Sequence, residues 1–316
     1  MKHGVKITIL ILSMFLLTQF IGLYVVDSYS TERFIDGETT QVVPSKILPY
    51  GMGLDEEEVQ NESNLLTSII FAFVIAMLVL FLLMRLKARF ILKGWFFIVT
   101  MLALGISLTA ILPEIKFASL IALGIAIPIT LAKIYKKDFI VHNISELLIY
   151  PGIAAIFVPL LGLMGIIILL VLISIYDMWA VWKSKIMQKM AKFQMNELKI
   201  FSGFFIPYAS KKQKEKIRKI KEKIKNKKMT EEEAKKKGIK VNIAILGGGD
   251  IIFPIIASGV VLKIWGVLPA IAVIFGAFAG LLFLLSFSEK KKFYPAMPFI
   301  TTGIFLAMGI CWLIIN

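Results

Sequence analysis

Cysteine and histidine are almost absent from this chain, and charge is scarce outside one segment. The single cysteine of 316 residues is Cys311, inside an apolar run. No disulfide can form within the chain, and no cysteine-based metal site. The two histidines, His3 and His142, stand far apart in sequence. A histidine-ligated metal is therefore not expected, and nothing calls for another cofactor. No nucleic-acid-binding motif accompanies the net charge of +15, so nucleic acid is not an expected partner. No internal repeat of the kind common in transporters is visible.

Apolar residues are what the chain has in excess, at 58% of the total, with a mean hydropathy of +0.82. A soluble domain of this length does not need so much apolar surface, but a chain solvated by lipid does. Runs long enough to cross a bilayer as helices occupy 7–26, 65–84, 91–112 and 117–134. The stretch 144–182 is too long for one span, and Pro151, Pro159, Gly162 and Gly165 punctuate it. It divides into 144–160 and 162–182. Further runs at 241–262, 266–286 and 294–315 bring the expected number of spans to nine. The first run lacks a small-x-small cleavage site and reads as a retained span rather than a signal peptide.

The placement of charge supports this count. The segment 183–240 holds 20 Lys/Arg and 6 Asp/Glu, almost the whole net charge. With nine spans it shares a side with Lys2 and Lys6, with Arg85, Lys87 and Arg89, with Lys136 and Lys137, and with Lys290–Lys292. The opposite side includes 27–64, with nine acids against Arg33 and Lys46. The positive-inside rule then places the N-terminus in the cytoplasm and the C-terminus outside. One catalytic membrane domain is expected, made of spans 1–6 (1–182), a basic cytoplasmic loop (183–240) and spans 7–9 (241–316). Within the loop, 211–228 carries Ile217, Ile220 and Ile224 at helical spacing, consistent with docking on anionic lipid or with a solvated segment.

Asp177 and Asp250 lie within expected spans six and seven, where a carboxyl is costly and generally functional. Asp177 is six residues before Lys183, about 9 Å along a helix. Asp250 is nine residues after Val241, about 14 Å from the same side. The spans run in opposite directions, so the carboxyls can meet in the cytoplasmic half of the bilayer. Two carboxyls in contact share a proton, the state in which one activates water and the other polarises a scissile carbonyl. Gly247, Gly248 and Gly249 precede Asp250 and suit either close packing or the approach of an extended substrate. Gly276 and Gly280 read as helix-packing residues. Tyr294-Pro295-Ala296-Met297-Pro298 predicts a non-helical or distorted opening to the last span. The same acids could alternatively serve as a relay in a proton- or ion-coupled transporter.

Tyr176-Asp177 in span six, Gly-x-Gly-Asp at 247–250 and Pro-Ala-x-Pro at 295–298 together resemble the presenilin and signal peptide peptidase family of intramembrane aspartyl proteases, especially its archaeal members. Prepilin and preflagellin peptidases share Gly-x-Gly-Asp but are less similar. The resemblance implies an all-α, presenilin-like bundle of nine transmembrane helices. It assigns catalysis to Asp177 and Asp250. Tyr176, Gly247, Gly248, Gly249, Pro295, Ala296, Met297 and Pro298 are then expected to shape the active site. Met297 departs from the family's Pro-Ala-Leu, a swap that conserves volume and polarity. The implied substrates are transmembrane peptides or proteins such as signal-peptide remnants and membrane anchors, unwound and paired as a strand near spans six, seven and nine. The resemblance further implies an enzyme that works in the lipid bilayer without obligate partner subunits, and it leaves homo-oligomerisation open.

Overall fold

The computed structural model describes residues 5–36, 39–44, 46–52, 62–86, 88–136, 138–184, 200–208, 242–288 and 294–315. The expected segment 211–228 lies outside them. Among the described residues there are nine α-helices: α1 (Val5–Asp27), α2 (Glu62–Arg85), α3 (Arg89–Ile111), α4 (Ala118–Tyr135), α5 (Phe139–Phe157), α6 (Leu163–Met178), α7 (Gly249–Trp265), α8 (Val267–Phe287) and α9 (Met297–Ile315). Two antiparallel strand pairs accompany them. Thr31–Asp36 (β1) pairs with Thr39–Pro44 (β2), and Gly203–Tyr208 (β3) pairs with Asn242–Gly247 (β4).

Among the described residues, seven helical segments are long and apolar enough to cross a membrane: α1, α3, α4, α5, α6, α8 and α9, with α5 and α6 each counted with the short turn that follows it. Helix α7 has 17 residues, and the apolar part of α2 is Thr67–Leu83. Long apolar side chains such as Leu306, Leu313 and Ile314 of α9 are exposed on the outside of the bundle. That surface suits lipid, in which an apolar exterior carries no penalty.

Helix α7 is the centre of the architecture. Pro254 through Leu262 are all buried, so the helix has no lipid-facing side along that length. It packs against α1, α5, α6, α8 and α9. Glycines set the close approaches. A side chain at Gly22 of α1 would strike Ile255, and one at Gly259 would strike Val158 and Val26. The α7–α8 connection is the single residue Gly266, at φ 88°, a left-handed conformation that glycine adopts without penalty.

The long apolar stretch breaks where its prolines and glycines indicated. Helix α5 passes into a 3₁₀ turn at Val158–Leu160, and α6 begins at Leu163. Two expectations are corrected. Residues 241–262 are not one helix, because Asn242–Gly247 is a strand and the helix starts at Gly249. Helix α5 begins at Phe139 instead of 144, because the Asp138 carboxylate accepts from the Ile140 N–H at 2.8 Å and caps it. His142 and Asn143 therefore stand within the helix, with Glu146 one turn on from His142.

The segments flanking the β1–β2 pair are tied to α3, to the residue that follows it and to the start of α4. Tyr29 donates to the Ile106 carbonyl (2.7 Å), Tyr50 to that of Ser119 (2.9 Å), and Lys46 to those of Ala110 and Leu112. Burial, with a smaller contribution from Tyr50, pushes the Tyr29 hydroxyl well above the usual phenol range, so it remains a donor.

Gly276 and Gly280 of α8 meet α9 backbone to backbone, as their reading as packing residues anticipates. Gly276 lies against the Gly303 carbonyl, and Gly280 against that of Phe299. Gly303→Val should destabilise the protein by about 1–3 kcal/mol, the usual cost of overpacking, measured by thermal unfolding in detergent. Gly309→Ala, with nothing within 4 Å of the added Cβ, should be neutral or stabilising.

Candidate active site

Asp177 lies one residue from the end of α6, where the helix loosens into a π turn over Trp179–Ser184. Its side chain is buried. The Met297 N–H donates to Asp177 Oδ2 at 3.1 Å, and the Ala296 N–H also bonds the carboxylate. These amides open α9. The first N–H groups of a helix have no partner within it, and its dipole favours negative charge there. Asp177 thus caps α9 from another helix. One turn earlier, Ser174 donates to Thr301 Oγ1 at 2.9 Å and fastens the same two helices.

Asp250 is in the first turn of α7 and is also buried. The Gly247 N–H bonds its carboxylate, and the charge of Asp177 is near enough to act on it. The strand that leads to Asp250 alternates, with Ala244 and Leu246 buried and Ile243 and Ile245 exposed. That period of two distinguishes a strand, yet inside a longer apolar run it is hard to tell from helix. Asp250 thus stands at the start of its helix, not deep within one. An extended segment carries the chain to its helix, and Asp250 remains within electrostatic reach of Asp177.

The three glycines have three different surroundings. A Cβ at Gly247 would sit 3.2 Å from Asp250 Oδ2, crowding the carboxylate. A Cβ at Gly248 would lie 2.8 Å from Ser202 Oγ and 3.1 Å from the Tyr150 ring. Close packing therefore requires a glycine there. Gly249 is exposed, and a Cβ would make only an ordinary 3.6 Å contact with Phe253, which leaves open space beside Asp250.

Residues 294–296 are non-helical, with Pro295 buried, and α9 begins at Met297. Pro298 falls in the first helical turn, where its missing N–H costs nothing. Met297 reaches Asp177 through its backbone, so the contact does not depend on the side chain that departs from the family pattern. Tyr176 is half-buried, with its ring 6.2 Å from that of Trp179. The structure thus gathers Asp177, Asp250, Gly247, Ala296 and Met297 at one place, with Gly248, Gly249, Pro295 and Pro298 holding or flanking the backbone there.

Sequence reading missed a second polar group. Lys133 of α4 and Glu146 of α5 form an ion pair at 2.5 Å, each side chain 1% exposed. His142 Nε2 lies 2.8 Å from the Gly203 carbonyl and 3.5 Å from Glu146 Oε1. Asn143 bonds Phe205 of β3 twice, its Nδ2 donating to the carbonyl (2.9 Å) and its Oδ1 accepting from the N–H (3.1 Å). On α1, the buried Gln19 donates to the Ile251 carbonyl at 3.1 Å, one residue beyond Asp250. The available signal was a polar residue in an apolar run. His142 falls just before the expected span 144–160 and Glu146 just inside it, where a charged residue ordinarily reaches water.

These contacts orient the strand pair. In an antiparallel ladder a residue turns its N–H and C=O to the same side. Phe205 directs both to Asn143, away from β4. Its register partner Ile245 therefore turns both away from β3, onto the other edge of β4. A cavity of about 550 Å³ lined by Lys46, Thr109, Glu114 and Lys116 lies at the far end of the bundle from the aspartates. Among the described residues no group of three or more His, Cys, Asp or Glu side chains is gathered as a metal site would require.

A family model described as signal-peptide peptidase, presenilin aspartyl protease matches residues 48–315. No curated protein sequence matches the chain. Two solved structures of a presenilin family intramembrane aspartate protease are similar in fold. The one in space group C222 superposes with a TM-score of 0.57 at 20% identity, covering 97% of this chain and 99% of that one. The one in space group P2 gives 0.56 at 19% identity, covering 96% of each.

Gly248→Ala should destabilise the protein by about 1–3 kcal/mol through its contacts with Ser202 and Tyr150. Gly249→Ala, in the first helical turn and free of a clash, should leave stability unchanged or raise it by up to about 1 kcal/mol. Thermal unfolding of the two variants in one detergent separates these outcomes.

Proposed function

This chain belongs to the signal-peptide peptidase and presenilin aspartyl protease family, and on that premise we propose that it is an endopeptidase whose Asp177 and Asp250 hydrolyse peptide bonds within transmembrane segments. It is an integral multi-pass membrane protein. The proposal is supported by two buried carboxyls on different helices, each bonded by backbone amides and the second within electrostatic reach of the first. One carboxylate takes a proton from water, which attacks the scissile carbonyl. The other, protonated, donates to the carbonyl oxygen and supports the tetrahedral intermediate. Proton return to the leaving nitrogen completes the cycle, with no covalent enzyme intermediate.

A transmembrane substrate hides its amides in its own helix and must unwind before either carboxyl can reach it. The outer edge of β4 is a ready template for the unwound segment, because Ile245 presents both a donor and an acceptor there. The strand leads directly to Gly247 and Asp250, so a chain paired with it runs toward the carboxyls. Gly249 leaves room for that chain. Substrates of the membrane-anchor or signal-peptide-remnant class fit this route. We further assign nine spans, with the N-terminus in the cytoplasm and Asp177 and Asp250 in the cytoplasmic half. The nine helices among the described residues and the one-sided basic loops support this topology. The family match does not favour a proton- or ion-coupled transporter.

Wild-type protein in lipid bilayers should cleave a membrane-spanning peptide, with the products identified by mass spectrometry. Asp177→Asn and Asp250→Asn should each reduce cleavage by at least about a thousandfold while leaving the fold intact. Normal cleavage by either variant would refute the assignment. Ile245→Pro removes the outward N–H without touching the β3 ladder, a position where an edge strand tolerates proline. It should lower kcat/KM by about tenfold or more, the equivalent of one lost hydrogen bond of about 1.4 kcal/mol.

A further inference from the structure

We propose that Asn143 and His142 are positioning residues that occupy the outer edge of β3 in place of a neighbouring strand, so that a substrate strand can join the sheet only at β4. The inference rests on the reading of the chain as a protease that takes its substrate as a strand. A two-stranded sheet has two open edges, and each presents unpaired N–H and C=O groups. Inside an apolar bundle such groups must be answered, and either edge could recruit an unwound substrate. Addition at β3 would place the substrate on the side away from Asp250.

Three outward-facing groups of β3, on Gly203 and Phe205, are engaged by side chains of α5. The Gly203 carbonyl accepts from His142 at 2.8 Å. Phe205 has its N–H and its C=O both engaged by the one amide of Asn143. Position 207, next on that side, is Pro207, which has no N–H to offer. The primary amide matters here. A side chain that donates and accepts in one plane mimics a strand's peptide group, which neither a hydroxyl nor a carboxylate can do.

The ion pair behind His142 serves the same end. His142 Nε2 faces two acceptors, the Gly203 carbonyl and Glu146 Oε1. It must therefore carry the proton and donate. Lys133 holds Glu146 in place from α4. The Phe205 ring packs on the imidazole, with centroids 4.8 Å apart. A chain of polar contacts thus runs from α4 through α5 into β3, and the ladder carries it on to β4, Gly247 and Asp250. Buried ion pairs rarely add stability over an apolar alternative, and their best-attested use is to set register. Here the register set is that of the strand pair against the carboxyls.

The test uses the full chain in lipid nanodiscs, with residue-resolved amide exchange and a mass-spectrometric map of cleavage in a membrane-spanning peptide. Asn143→Leu should raise exchange at the Phe205 amide at least tenfold, with smaller changes at Phe204 and Ile206, whose amides face β4. The same variant should raise KM and move cleavage by one or more residues, because the template strand is no longer held. Should Asn143→Leu fail to fold, His142→Gln, which restores a donor to Gly203, should keep the wild-type cleavage map, whereas His142→Phe should not. Unchanged exchange at Phe205, or raised exchange with an unchanged cleavage map, overturns the proposal, as does an identical map for the two His142 variants. A wild-type protein that cleaves no membrane peptide defeats the protease reading and the confinement of substrate to β4, while exchange at Phe205 still decides whether Asn143 holds the strand.

Discussion

A carboxylate removed from water has to be given hydrogen bonds, and in an apolar bundle the donors within reach are mostly backbone amides. Most of the architecture around the candidate site follows from that need. Unpaired amides occur where secondary structure begins or ends. Asp177 is accordingly placed against the start of α9, and Asp250 against the last residue of β4. The prolines at 295 and 298 mark the beginning of one element. The glycines at 247–249 mark the change from strand to helix in another. These motifs are thus where the chain leaves regular structure and frees donors for buried acids.

Extended chain within a membrane bundle meets the same demand, multiplied along its length. Strands β3 and β4 satisfy half of their groups by pairing, and on the outward side of β3 the Gly203 carbonyl and both groups of Phe205 are engaged by α5. The polar residues of α4 and α5 are costly in an apolar setting, and their placement is explained by the strand they serve. The central helix α7 can then be apolar beyond its first turn, since its own backbone bonds are internal. It is tied to its surroundings by packing at Gly22 and Gly259 and by the single amide of Gln19.

Much of the fold was legible because lipid imposes a simple rule. Segments that cross it must be apolar and of about 20 residues, and loops bearing Lys and Arg gather on one side. The breaks at Val158–Gly162 and Gly266 were marked by proline and glycine, which restrict or free the backbone locally. The two aspartates stood out because an acid in an apolar run is costly. Strand β4 was not legible, since Asn242–Gly247 prolongs an apolar stretch and the helical reading of such a run is the default. The Lys133–Glu146–His142 group was missed for a related reason. Each of its members lies near the end of an apolar run, where charged residues ordinarily reach water.

The sequence by itself determined the membrane class, the approximate spans, and the residue types able to do acid chemistry within them. These depend on local composition, which any window of the chain displays. Only the tertiary structure decided which amides answer Asp177, why a side chain at Gly248 in particular is crowded, and which edge of the β3–β4 pair Asn143 engages. Each of these is a contact between segments distant in sequence, as Met297 is from Asp177 and Asn143 from Phe205. Hydrogen bonding and steric exclusion act over a few ångströms of space, and distance along the chain does not report that separation.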